Sequence, residues 1–267
     1  KVLNTSKLYK KKRRRKIFKF SAFLFLFSSF ISSLVYLSRQ EEFLVSEIVI
    51  SGDDIVGRAE MIESVSSILD SYYLWLIPKA NITILPRSEI RATLLESFKR
   101  LKSIELNVDG GILTVTPEER VPVALYCSSV AGVDCYFIDS EALIFARAPS
   151  FSGPSYFIYS TEESISEPIG INLLATEELF ALSRFVESLK DLNIFAESLE
   201  IGNDNYTLLT DKRMRIMWKK EHGLEKTYSN LSAFLSEESI RTQEDFLERV
   251  EYLDLKVEDK VFYRFWK

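Results

Sequence analysis

Phe20 to Leu37 reads FSAFLFLFSSFISSLVYL, eighteen residues without a charge. As a helix this run rises about 27 Å, close to the ~30 Å hydrocarbon thickness of a bilayer. Its five serines can return their hydroxyls to the helix's own carbonyls, so they do not bar it from lipid. A buried core helix would show a polar face, and beyond serine this run has none. Lys10 to Lys16 reads KKKRRRK just before it, and Arg39-Gln40-Glu41-Glu42 follows. Positive charge on the N-terminal flank predicts a cytoplasmic N-terminus and an extracytoplasmic remainder. No small-residue cleavage site follows Leu37, and the run is long for a signal peptide. The segment is therefore expected to stay as a signal anchor of a single-pass membrane protein.

Outward from the span, charge divides the 267 residues unevenly. Eleven of the 34 Lys and Arg lie in residues 1–40, which hold no acid; the rest sets 23 bases against all 39 acids, a net of −16. An acidic body is a poor partner for nucleic acid, whose phosphates demand a basic surface. The basic run beside the span needs no cause beyond topology. Cys127 and Cys135 both lie past the span, where oxidation is possible. Strand-like residues flank them, VALYC before and CYFID after. A hairpin would join them in a disulfide adding roughly 2–3 kcal/mol; two free buried thiols remain the equal alternative. A metal site is not expected, because the sole histidine is His222.

Phe43 to Ser51 alternates apolar residues and closes on Gly52, a strand and a turn. Met61, Ile62, Val65, Ile68 and Leu69 repeat at helical spacing. So do Ile90, Leu94, Phe98 and Leu101, with Pro86 where that helix begins. Ile104–Val108 and Ile112–Thr116 are strands around an Asp109-Gly110-Gly111 hairpin turn. The order β-α-α-β-β fills one small domain. Strands follow at Val123–Cys127, Tyr136–Ile138 and Leu143–Ala146, then a Ser-, Pro- and Gly-rich loop from Pro149 to Gly170. Thr176 is expected to cap a helix striped by Leu179, Leu182, Val186 and Leu189. Three strands come next, near Ala196–Ile201, Tyr206–Leu209 and Met214–Trp218, then a helix over Lys226–Leu235. A last hairpin pairs Glu251–Val257 with Val261–Trp266 across Glu258-Asp259-Lys260. The fold class is α+β and mostly antiparallel.

Little of this points to catalysis. A triad or histidine relay would depend on His222, which sits in the charged stretch Lys219-Lys220-Glu221-His222-Gly223 and reads as exposed surface. There is no Gly-rich phosphate loop and no nucleophile elbow. Glu162-Glu163, Glu177-Glu178 and Glu237-Glu238 are carboxylate pairs at helix starts or in polar loops, where solvation is the default. What remains is a surface for protein. In the last hairpin Leu253, Leu255 and Val257 face one way, and Tyr252, Asp254 and Lys256 the other. Val261, Tyr263 and Phe265 alternate with Phe262, Arg264 and Trp266, placing aromatics on both faces. A sheet-edge strand of this kind can accept a strand from a partner, with aromatics and Arg as anchors; an internal strand with core on both faces is the equal alternative.

The order of these segments resembles a known family. A basic tail, one span, then Ile48-Val49-Ile50-Ser51-Gly52 opening a β-α-α-β-β unit looks like a POTRA domain after a signal anchor. Thr114-Val115-Thr116-Pro117-Glu118-Glu119-Arg120-Val121-Pro122-Val123-Ala124 resembles the exit from that domain in the bacterial division proteins of the FtsQ/DivIB family. Tyr136-Phe137-Ile138-Asp139 with Leu143-Ile144-Phe145 is similar to that family's next hairpin, although Ser140-Glu141-Ala142 stands where a glycine is usual. Tyr252-Leu253-Asp254-Leu255-Lys256 looks like its closing strand, with Lys256 for the common Arg. The resemblance implies 1–19 as a basic cytoplasmic tail, 20–38 as the transmembrane anchor, 43–119 as a POTRA domain and 120–267 as a C-terminal β domain with flanking helices. It implies a non-enzymatic divisome scaffold at the division septum, without cofactor or small-molecule substrate. FtsB- and FtsL-like single-pass proteins would add a strand at Val261, Phe262, Tyr263, Arg264 and Phe265, near Tyr252 and Asp254. The alternatives are a POTRA-containing protein of a transport or secretion assembly and a membrane-anchored cell-wall hydrolase.

Overall fold

A computed structural model describes residues 5–52, 57–128, 134–150, 156–243 and 245–266. The first four residues of the basic tail, 129–133 between the cysteines and 151–155 of the expected loop lie outside the described residues. The chain forms two compact units, Lys1–Glu118 and Glu119–Lys267.

Unit 1 begins with helix α1, Thr5–Ser38, longer than the apolar run because the basic segment continues the helix. Lys and Arg are good helix formers, so nothing breaks it at Phe20. Arg13–Ser38 is long and apolar enough to cross a membrane, and its apolar window is unburied within the protein. The strand expected over Phe43–Ser51 is shorter: Glu41–Phe43 forms a 3-10 turn and β1 spans Glu47–Ile50. Helix α2, Arg58–Leu69, buries Met61, Val65 and Leu69, one residue per turn on one face.

A small hairpin absent from the sequence expectation follows, β2 Tyr72–Tyr73 and β3 Ile77–Pro78. Helix α3, Arg87–Ser97, buries Ile90 and Leu94 and ends before Phe98, earlier than expected. Leu101 opens the next strand instead. β4 (Leu101–Asp109) and β5 (Ile112–Glu119) turn at Gly110-Gly111, both with positive φ. A Cβ on Gly111 would stand 3.3 Å from the Leu44 carbonyl oxygen, so glycine is required there. The sheet order is β1-β5-β4, with β1 parallel to β5 in the register Ile50↔Val115. Each fully buried aliphatic side chain of this core contributes roughly 1.5–3 kcal/mol.

Unit 2 is built on one sheet of nine strands, ordered β14-β13-β12-β11-β10-β9-β6-β7-β8. They are β6 Ala124–Cys127, β7 Cys135–Ile138, β8 Ile144–Arg147, β9 Ile158–Thr161, β10 Ala196–Ile201, β11 Asn205–Thr210, β12 Arg215–Lys219, β13 Val250–Asp254 and β14 Phe262–Phe265. Antiparallel pairs predominate; β9 runs parallel to both β6 and β10, and β12 parallel to β13. The Pro149–Gly170 segment is thus not only a loop. Its Ile158-Tyr159 core supplies a central strand, with Tyr159 and Ser160 buried.

Helix α4, Thr176–Ser188, lays Leu179, Leu182 and Phe185 on this sheet. Thr176 does not cap it. Ala175 holds the extended position before the helix, and the Thr176 hydroxyl donates to the Glu141 carbonyl at 3.3 Å. Helix α5, Leu224–Ser236, packs beside α4 and buries Leu231. Two short helices, α6 Glu238–Arg241 and α7 Phe246–Arg249, bring Ile240 and Phe246 into the same core. Trp218 sits at its centre, 5.1 Å from Phe185 and 5.4 Å from Tyr206 between ring centroids.

Candidate protein-binding edge

β14 is an edge strand, paired with β13 alone. The register is Tyr252↔Arg264, Leu253↔Tyr263 and Asp254↔Phe262, with an irregularity between Val250 and Tyr252. Leu253 and Leu255 are buried as expected from their alternation, but Val257 is 48% exposed because β13 has ended three residues earlier. The connecting turn is pinned in two ways. Lys256 N–H donates to Asp254 Oδ1 at 2.9 Å, and Lys226 of α5 bonds Glu258 at the tip. The hydrogen bond from Lys226 holds the Glu258 carboxyl below the usual carboxylate range.

The two faces of β14 differ. Tyr263 and Phe265 lie against Phe246 of α7, at 5.5 and 5.8 Å between centroids, and Tyr263, still 41% exposed, also meets Phe234 of α5 at 5.7 Å. Arg249 lies over the Phe265 ring at 5.0 Å. Val261 packs against this core from just outside the strand. On the opposite face Phe262 is about half exposed, and Arg264 stands over Tyr252 at 5.5 Å. Arg264 Nε donates to Glu251 Oε2 at 2.7 Å, while Arg215 of β12 donates to Glu251 Oε1 at 3.0 Å.

Of the residues singled out from sequence, Phe262, Tyr263, Arg264 and Phe265 form the edge strand, and Val261 leads into it. Tyr252 and Asp254 lie one strand inboard, ~4.8 Å away in the pairing direction. Tyr252 is roofed by Arg264, and Asp254 is engaged in its own turn. Glu251, Phe234, Phe246 and Arg249 escaped sequence reading. An acid beside a strand's tyrosine gives no cue that two arginines will converge on it, and α6 and α7 are single turns too short for periodicity to register.

The opposite edge, at β8, is partly covered by the chain itself. Ile144 N–H donates to the Ile171 carbonyl at 2.9 Å, and Gly170 N–H donates back to Ile144 at 2.7 Å. Leu143 bridges Asn172, and Leu173 N–H reaches the Ala142 carbonyl at 2.9 Å. The turn into β8 is locked by Asp139, whose Oδ1 accepts from the N–H groups of Glu141 and Leu143 at 2.9 and 3.0 Å and whose Oδ2 is bonded by Arg120. Arg120 also reaches Glu141 at 3.1 Å. Burial works against its charge, but the bonds to both carboxylates raise its pKa further. Ala142, in the Ser140-Glu141-Ala142 turn, takes φ +63°. At the other end of β7, Cys127 and Cys135 are directly opposite in the β6–β7 register and form a disulfide.

Glu178 accepts from the Tyr206 hydroxyl; burial first, then that carboxylate, pushes the phenol far up. His222 is half-buried rather than exposed, with Nε2 3.9 Å from Glu221. Among the described residues no cluster of His, Cys, Asp and Glu could hold a metal ion. No protein-family model matches the chain, and no curated protein matches it.

Proposed function

We propose that this chain is a membrane-anchored scaffold whose β14 edge accepts a β-strand from a partner protein, in the manner of an FtsQ/DivIB-type division protein. The observation that carries the reading is the state of that edge: alternate N–H and C=O groups of Phe262–Phe265 face outward beside exposed Phe262 and a held Arg264. Main-chain bonds supply affinity in strand addition, and flanking aromatic and Arg side chains supply anchors. Supporting the family reading are the order of unit 1, in which two helices and a three-stranded sheet follow one apolar helix as in a POTRA domain, and the Arg120–Asp139 bond joining two of the motifs. In this reading the N-terminus is cytoplasmic, unit 1 serves recruitment to the septum, and the partner is an FtsB–FtsL-like pair.

The test is a proline scan of Phe262, Tyr263, Arg264 and Phe265 in the full chain, with binding of the FtsB–FtsL pair measured in lipid nanodiscs. Proline at outward-facing positions removes a donor the sheet does not use. Alternate positions should keep the wild-type melting temperature and lose at least about tenfold in affinity, the equivalent of ~1.4 kcal/mol. Wild-type affinity in every folded variant would remove the edge from the account. Absence of binding by the unaltered chain would remove the division partner and leave open an assembly of transport or secretion.

A further inference from the structure

Ser71 to Lys79 reads SYYLWLIPK, free of charge from Ser71 to Pro78. Its β2–β3 hairpin turns through Leu74 and Trp75, closed by Leu76 N–H donating to the Tyr73 carbonyl at 3.0 Å. Both turn residues have positive φ, 48° and 60°. Such a turn ordinarily takes Asn-Gly or Gly-Gly, because a Cβ is strained in that conformation. Here a leucine and a tryptophan occupy it, 84% and 90% exposed, with Tyr72 and Leu76 about half exposed beside them. Backbone preference and packing within the protein both run against these residues. An observed strain of this kind points to a function.

What lies next to the hairpin identifies what covers it. Arg39, at the end of α1, donates from Nε and Nη2 to the Leu76 carbonyl at 3.1 and 2.9 Å. The buried Asn81 donates to the Ser38 carbonyl, the last of α1, at 3.0 Å. Leu76 lines a cleft with Leu24, Phe27, Ile31 and Val35 of α1. The hairpin is therefore tied to the end of the helix and lies alongside its charge-free run. A bilayer that holds Val35 also meets the hairpin.

We propose that the β2–β3 hairpin is a second membrane anchor, with Leu74 and Trp75 inserted into the leaflet from which α1 emerges. Tyr72 and Tyr73 take the headgroup level, where aromatic residues with a polar tip are favoured. Lys79 marks the polar boundary, 2.7 Å from Glu89 and over the Tyr73 ring. One span alone leaves a domain free to tilt; a span and a hairpin together fix which face of unit 1 looks at the membrane. The inference rests on α1 crossing a bilayer and is independent of any division partner.

The test uses the full chain in nanodiscs of phosphatidylethanolamine and phosphatidylglycerol, comparing wild type with Trp75→Phe. Trp75 is exposed, so the substitution leaves folding intact; the difference between the two spectra isolates its emission from that of Trp218 and Trp266. Expected is a blue-shifted difference spectrum, quenched by lipids brominated high on the acyl chain and shielded from aqueous iodide. A red-shifted difference that iodide quenches and brominated lipid leaves unchanged overturns the proposal. That second result is also the one expected if the tip were built for a partner protein, since lipid is the only neighbour present. A chain that fails to elute with the discs overturns the premise about α1, and the same sample reports it.

Discussion

The nine-stranded sheet ends differently on its two sides. At β8 the chain returns on itself: Gly170–Leu173 exchanges hydrogen bonds with Ala142–Ile144, and the adjoining turn is locked by Asp139 and Arg120. At β14 no strand of the protein covers the outer side among the described residues. Edges are commonly blunted by lysine, proline or a bulge. Phe262-Tyr263-Arg264-Phe265 has neither lysine nor proline, and its one charge is bound to Glu251. The bulge lies on β13, inboard, where it lets Glu251 hold both Arg215 and Arg264. One edge is covered by the chain's own backbone, and the other is left unpaired among the described residues.

The largest effect should come from breaking the covered edge. Asp139→Ala removes the buried carboxylate that accepts from the Glu141 and Leu143 N–H groups and from the half-buried Arg120, which keeps only Glu141; three lost bonds at about 1–3 kcal/mol each bring the cost to at least ~3 kcal/mol. Urea denaturation should show that loss. Amide exchange should speed first at Leu143 and Ile144, while the folded fraction still binds partner at β14. Reducing the Cys127–Cys135 disulfide should cost less, about 2–3 kcal/mol for so short a loop. It loosens the β6–β7 pair beside the covered edge and leaves partner affinity unchanged.

A third prediction concerns the middle of the sheet. Burial pushes the Tyr159 phenol up to about 12, while in the unfolded chain it titrates near 10. Its folded pKa is raised, so its contribution is fully present below about pH 10 and is lost as pH rises to about 12. The size is on the order of 2–3 kcal/mol. Tyr159→Phe should flatten the alkaline limb of the stability profile, read by fluorescence-monitored unfolding between those pH values; an unaltered limb would place the titration elsewhere. The smallest change in stability belongs to the open edge. Phe262→Ala should alter it by no more than about 0.5 kcal/mol, as for an exposed side chain. Partner affinity should nonetheless fall roughly 5- to 30-fold, the equivalent of ~1–2 kcal/mol. A large loss of stability with intact binding would reverse the roles assigned to the two edges.

Local signals were legible in the sequence and relations between distant segments were not. The charge-free run, the Asp109-Gly110-Gly111 turn and the stripes of α2 and α4 follow from neighbours a few residues apart. β9 was hidden because Ser, Pro and Gly surround its short Ile158–Thr161 core, and its place between β6 and β10 is a long-range pairing. The β2–β3 turn carries none of the residues that announce a turn; Leu74-Trp75 reads as part of an apolar strand. For the candidate site, alternation in the last hairpin gave the strand and its aromatics. Which side of it remains unpaired depends on the order of nine strands, and Glu251 acquires its role only when β12, β13 and β14 lie side by side.

Hydrogen–deuterium exchange at β14 tests the central claim most directly, with the full chain in nanodiscs measured alone and with the FtsB–FtsL pair. The account predicts new protection at alternate amides of Phe262–Phe265 on binding, and none at Ile144–Arg147. Protection at β8, or binding that leaves the β14 amides as they were, would contradict it.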